Sequence, residues 1–177
     1  AQKVLDILKK DMPSLKNLLA SALIKSIRGS DADAGIYYLA RMLKGGEDPR
    51  FIARRLWILS AEDVGLGDPQ ALVLATSVYQ ASEKLGMPEI RIPLAELVVY
   101  LARAPKNNSA YLAIDEALAE VDQSGPLPVP LHLRNATTNL MKELDYGKNY
   151  QYAHDCVDKK PSHAHLPEKL VGRKFVK

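Results

Sequence analysis

Apolar residues recur along this chain with the period of an α-helix. Ser30, Asp31 and Asp33 supply a capping oxygen and carboxylates at the positive end of a helix. Ile36, Leu39, Ala40 and Leu43 then follow at i, i+3, i+4 and i+7. Gly45 and Gly46 stop that helix. Asp48 before Pro49 starts a second one, a capping side chain followed by proline at the first helical position, with Ile52, Leu56 and Leu59 facing inward up to Gly65. The same device recurs at Asp68 and Pro69, where Leu74, Val78, Ala81 and Leu85 form the stripe before Gly86. Pro88 and Pro93 fit only a connection or a first turn. Beyond them Leu94, Leu97, Val98 and Leu101 define a helix apolar on most sides, which belongs in a core or an interface. Asn107 or Asn108 opens another, with Tyr111, Ile114, Leu118 and Val121 on one face. No stretch alternates with period two, so the expected class is all-α. The helix pairs and their short turns resemble a small α-solenoid or collar.

The pattern changes after Gln123. Pro126, Pro128 and Pro130 make residues 125–133 an extended, polyproline-like segment. Val129, Leu131 and Leu133 are too apolar to stay in water, so the segment is expected to lie along a groove on the bundle. Arg134 and Asn135 would start a last helix, and its Leu140 and Leu144 would close over that groove. A polyproline ligand for an external partner is the competing view. From Lys148 onward periodicity fades into a Tyr-, His- and Lys-rich tail. The organisation read from this pattern is a lead-in helical segment at 1–24, a helical domain at 25–147 and a tail at 148–177.

The chain has 177 residues, of which 47% are hydrophobic and 25% charged, enough for a sizeable core. Its net charge of +3 does not by itself make a nucleic-acid binder. The charge is uneven, however: residues 1–28 hold six basic and two acidic side chains, and residues 142–177 hold eight and five. Basic ends could meet DNA phosphate or a partner protein, while solvated helix faces and a soluble tail explain them equally. A single cysteine, Cys156, rules out an intrachain disulfide and points to a reducing compartment. The longest apolar stretch, around residues 94–104, contains Glu96 and Arg103 and is too short to cross a membrane. No secretion signal is visible at residues 1–10, and Ala1 in place of Met fits a piece of a longer protein.

The candidate chemistry is thin. The glycines at 45–46 and 65–67 precede Asp and Pro instead of the Gly-Lys-Ser/Thr of a P-loop, so they read as helix stops, and no Walker motif binds ATP here. His154, Cys156, His163 and His165 match no common zinc spacing, and no metal or catalytic site is expected. A small metallo- or cysteine hydrolase built on this tail is the remote alternative. Glu62 and Asp63 sit near a helix end whose dipole they oppose, so they need cationic partners; Arg54 and Arg55 complete the candidate ion-pair network. Glu96, Tyr100 and Arg103 form a polar stripe that reads as an edge or interface seam. The candidate oligomer or packing face comprises Ile52, Leu56, Trp57, Leu59, Leu94, Leu97, Val98 and Leu101.

Longer strings are more specific. KSIRGSDADAGIYYLARMLKGGEDPRFIARRL, SAEDVGLGDPQAL, GMPE, VVYLARAPKNNSAY, VPLHLRNATTNLMKEL and DYGK occur in that order over residues 25–175. Together they resemble the C-terminal domain of the replication-associated recombination protein A family, AAA+ ATPases that include Mgs-type and Werner-helicase-interacting proteins. The resemblance implies a DNA-dependent ATPase acting at stalled forks, cytoplasmic and nucleoid-associated in bacteria or nuclear in eukaryotes. It places ATP and Mg²⁺ in an AAA+ module outside this segment, with no cofactor in the segment itself. It implies a helical oligomerisation domain similar to a clamp-loader collar, assembling as a homotetramer without catalysis of its own. It also makes DNA and single-strand-binding protein partners of the full-length protein, and no membrane.

Overall fold

The structure is a computed structural model and describes residues 15–177. Residues 1–14, most of the expected lead-in segment, lie outside the described residues. Seven α-helices and no strands occur among the described residues, so the fold is all-α as the pattern indicates. The chain divides into two compact units, Ala1–Leu112 and Ala113–Lys177.

The first unit is built from five helices: α1 (Leu15–Arg28), α2 (Ala32–Lys44), α3 (Pro49–Leu59), α4 (Gln70–Lys84) and α5 (Arg91–Arg103). Their starts follow the capping chemistry. Asp31 Oδ1 accepts the Ala34 N–H at 2.9 Å, and Asp48 Oδ1 accepts the Arg50 N–H at 2.9 Å with Pro49 at the first turn. Asp68 Oδ1 does the same for the Gln70 N–H at 3.1 Å. The cap of α2 is therefore Asp31 and not Ser30, which instead takes a positive φ in the turn out of α1. The helix α5 touches all four of the others, and Leu94, Leu97, Val98, Leu101 and Ala102 are fully buried. A side chain buried so completely stabilises the fold by about 1.5–3 kcal/mol, which is why a helix apolar on most sides ends up central. Close approach of α2 to α5 depends on Gly35: a Cβ there would lie 2.9 Å from Val98 Cγ1.

Helix α6 (Ser109–Ser124) opens on Asn107, whose Oδ1 accepts the Ser109 N–H at 2.9 Å, and it runs across the boundary between the units. Its apolar stripe is not inward as the spacing predicts. Ile114, Leu118 and Val121 are 55%, 56% and 58% exposed, and Tyr111 is exposed as well.

The second unit contains little else that is regular. Residues 125–130 form neither helix nor strand, with a positive φ at Gly125, a bend at Pro126 and polyproline-like angles at Pro130, and Leu131–Leu133 forms one 3₁₀ turn where an extended segment to 133 is expected. The last helix, α7, is only Asn139–Glu143 and begins on Thr138, whose hydroxyl accepts the Met141 N–H at 3.2 Å. It does not begin at Arg134 and Asn135. The Arg134 guanidinium instead donates to Val129 O at 2.7 Å and lies over the Tyr146 ring. Nor do Leu140 and Leu144 close over the proline segment; they are 64% and 54% exposed, and Val129 and Leu131 are exposed too. Among the described residues of this unit Ala113 alone is buried.

Candidate functional site

Three segments far apart in sequence converge at the end of α3. After Leu59 the chain does not stop cleanly but widens into one π-helical turn, Ser60–Val64, followed by a 3₁₀ turn at Gly65–Gly67. That turn presents Glu62 and Asp63 to Arg28 at the end of α1. Arg28 Nε donates to Asp63 Oδ1 at 2.6 Å and Nη2 to Glu62 Oε1 at 3.4 Å. The hydrogen bond to Asp63 raises the Arg28 pKa above its ordinary value. Arg28 is half exposed, which limits such a pair to about 1 kcal/mol or less. Asp63 also binds through its backbone: its carbonyl accepts the Asn107 N–H at 2.8 Å.

The segment 105–107 completes the junction. Lys106 Nζ folds back onto the C-terminus of α5, donating to Leu101 O at 3.0 Å, Ala102 O at 3.1 Å and Ala104 O at 2.7 Å. Those are the carbonyls a helix leaves without partners, so Lys106 caps α5 and complements its dipole. Burial lowers the Lys106 pKa, and the Asp63 charge opposes that shift. Gly65 has φ +48 and ψ −126, and Gly67 lies against Pro105 O. The strings around residues 60–69 and 103–109 are therefore one structural junction that fixes where α6 begins.

The candidate ion-pair residues do not all meet one another. Glu62 and Asp63 are paired, but with Arg28, while Arg54 lies over the Phe51 ring and Arg55 makes no ion pair among the described residues. The separation of Arg28 from its partners by 34 and 35 residues hid it from any helix-spacing argument. Beside the junction, Glu96, Tyr100 and Arg103 line a groove of about 640 Å³ with Asp68 at its edge. Tyr100 donates its hydroxyl proton to Asp68 Oδ2 at 2.6 Å, which raises the tyrosine pKa.

The candidate oligomer face resolves into core. Ile52, Leu56, Leu59, Leu94, Leu97, Val98 and Leu101 are buried inside the first unit, and half-buried Trp57 packs on Tyr79 with ring centroids 5.0 Å apart. These side chains serve packing and present no free apolar surface. The exposed apolar groups lie elsewhere, above all on α6 and along the second unit.

In the second unit the strings VPLHLRN and DYGK meet through the Gly147 N–H, which donates to Leu131 O at 2.8 Å. The ring of His132 stands 4.8 Å from that of His163 and 6.2 Å from that of His165. No group of three or more His, Cys, Asp or Glu among the described residues is arranged to hold a metal ion. Cys156 Sγ donates to Tyr152 O at 3.4 Å, and the His154 ring stacks on Tyr152, so no thiol–imidazole pair forms. Three of the eight cations of the basic end are paired within the unit. Lys177 Nζ meets Glu116 Oε1 at 2.6 Å and Arg173 Nε meets Glu120 Oε2 at 3.8 Å, both carboxylates belonging to α6, and Lys148 pairs with Asp145 at 2.9 Å.

Comparison with known proteins agrees with the strings. Residues 29–177 match the family model described as MgsA AAA+ ATPase C terminal. The chain is 51% identical over 156 residues to replication-associated recombination protein A of Coxiella burnetii, covering 88% of this chain and 36% of that protein. It is 46% identical over 137 residues to the protein of that name in Escherichia coli, covering 77% and 31%. It is 45% identical over 161 residues to ATPase WRNIP1 of Dictyostelium discoideum, covering 89% and 18%. The chain thus spans about a third or less of the length of these curated relatives.

Proposed function

Because the chain belongs to the MgsA AAA+ ATPase C-terminal family, we propose that it is an assembly module, joining copies of the full-length protein into a homotetramer through α6 and the second unit. The observation that carries this reading is the missing core. Residues 113–177 hold many large apolar side chains, yet the whole unit buries only Ala113 among the described residues. A segment this apolar gains its ordering energy only when something covers it. A like copy, presenting the same stripe, is the simplest cover.

In this reading the chain contributes no catalysis. It has no Walker motif, so ATP and Mg²⁺ would bind in the AAA+ portion of the full-length protein, which would act as a DNA-dependent ATPase in replication, recombination and repair at stalled forks. DNA and single-strand-binding protein would be partners of that assembly, in the bacterial nucleoid or the nucleus. No helix among the described residues is long and apolar enough to cross a membrane. A DNA-binding role for the basic ends is the second reading, and in it the internally paired Arg28, Lys148, Arg173 and Lys177 would contribute least. Cations already matched by carboxylates release few counterions from phosphate.

Hydrogen exchange tests the assembly reading locally. Amides of residues 109–124 are expected to slow roughly tenfold or more as the protein is raised from about 1 to about 100 µM, because association stabilises only what it covers. Amides of α5 should not change. Exchange in α6 that is independent of concentration would overturn the proposal.

A further inference from the structure

A second groove, distinct from the one beside Tyr100, runs between α2 and α5. The helices approach closely where Gly35 faces Val98, and an open space of about 380 Å³ lies between the C-terminal part of α2 and the first turns of α5. Ile36, Leu43 and Met87 give it an apolar lining, with Ala40 exposed on its wall. Lys44 and Arg91, both exposed, also line it, and neither has an ion-pair or hydrogen-bond partner among the described residues. No carboxylate lines the groove. Glu96 lines the neighbouring groove beside Tyr100 instead.

The placement of Arg91 is informative. Lys44 lies in the last turn of α2, where a cation favours the helix, but Arg91 is the first residue of α5, where a cation opposes the dipole. The first turn of α5 has no acidic residue to compensate. An anion arriving at the groove would meet two cations and the positive end of a helix. The space is sized for one or two large side chains and is open along its length, which suits an extended peptide better than a whole acyl chain.

We propose that this groove docks a short acidic peptide segment of a partner protein, its apolar side chains on Ile36, Leu43 and Met87 and its carboxylates on Lys44 and Arg91. The site is independent of the assembly reading, and failure to bind peptide leaves the exchange behaviour of α6 unaffected.

Fluorescence anisotropy with a fluorescein-labelled Asp-Glu-Asp-Leu-Leu peptide tests it, against Lys-Lys-Lys-Leu-Leu as the opposite charge. The acidic peptide is expected to bind with a Kd of roughly tens of µM, and the basic one at least ~10-fold more weakly. Lys44→Glu with Arg91→Glu should weaken the acidic peptide ~10-fold or more, since two screened ion pairs are reversed. Ala40→Trp should block the groove with all charges in place, and a thermal melt establishes that each variant is folded. If Ala40→Trp melts early, the charge reversals alone carry the test. Equal binding of both peptides overturns the proposal, as does affinity unchanged by the reversals. Displacement of the peptide by an equimolar fatty acid, or reversals that change the solution mass without affecting peptide, would assign the groove to lipid or to a second copy and overturn it too.

Discussion

Gly65→Ala is expected to cost about 3–5 kcal/mol of stability in the first unit, among the largest effects of any single methyl group in this chain. Two causes add. The backbone at Gly65, φ +48 with ψ −126, lies in a region that L side chains rarely adopt. The added Cβ would also sit 2.5 Å from Asn107 O, a backbone atom. That carbonyl cannot retreat cheaply, because the same residue donates its N–H to Asp63 O and its side chain caps α6. Gly46→Ala separates strain from collision: its φ is +75, but nothing lies within 4 Å of the new Cβ. It should cost only about 1–2 kcal/mol. Urea denaturation of both variants checks the difference, and equal losses would mean that Asn107 yields and the junction is soft.

Ile114→Asp combined with Leu118→Asp should abolish assembly while leaving the first unit folded. Both side chains are more than half exposed in the single chain, so their replacement costs the monomer little beyond helix propensity, about 1 kcal/mol in total. In an assembly each would be buried against another copy. Losing two apolar anchors worth about 1.5–3 kcal/mol each, and burying two carboxylates in their place, weakens association by more than ~1,000-fold. Light scattering reads the mass and a thermal melt reads the fold. An unchanged mass would move the interface away from this stripe of α6.

What the sequence makes legible is local chemistry. The caps at Asp48 and Asp68 and the stop at Gly45 are set by side chains within a few residues of the helix end, so spacing alone locates them. The central place of α5 follows from its apolar residues on most sides. Spacing identifies an apolar face but not what covers it. Tyr111, Ile114, Leu118 and Val121 have the same pattern as a core stripe, and only the folded chain reveals that they stay 43–58% exposed. For the face around Ile52 and Leu97 spacing leaves core and interface both open, and the side chains are interior. The start of α7 moved because Arg134 finds a local acceptor in Val129 O, leaving Thr138 to cap. Contacts across long separations, Arg28 with Asp63 or His132 with His163, have no local signal at all. The long strings carried the family, and the structure gives two of them a physical reason: residues 60–69 and 103–109 hold one another in place.

Sedimentation equilibrium on the unmodified chain tests the central claim most directly. At about 100 µM even a contact of about −8 kcal/mol is largely occupied, so the account predicts a mass near four times the 19.5 kDa of the chain. A single species at 19.5 kDa at that concentration would contradict it.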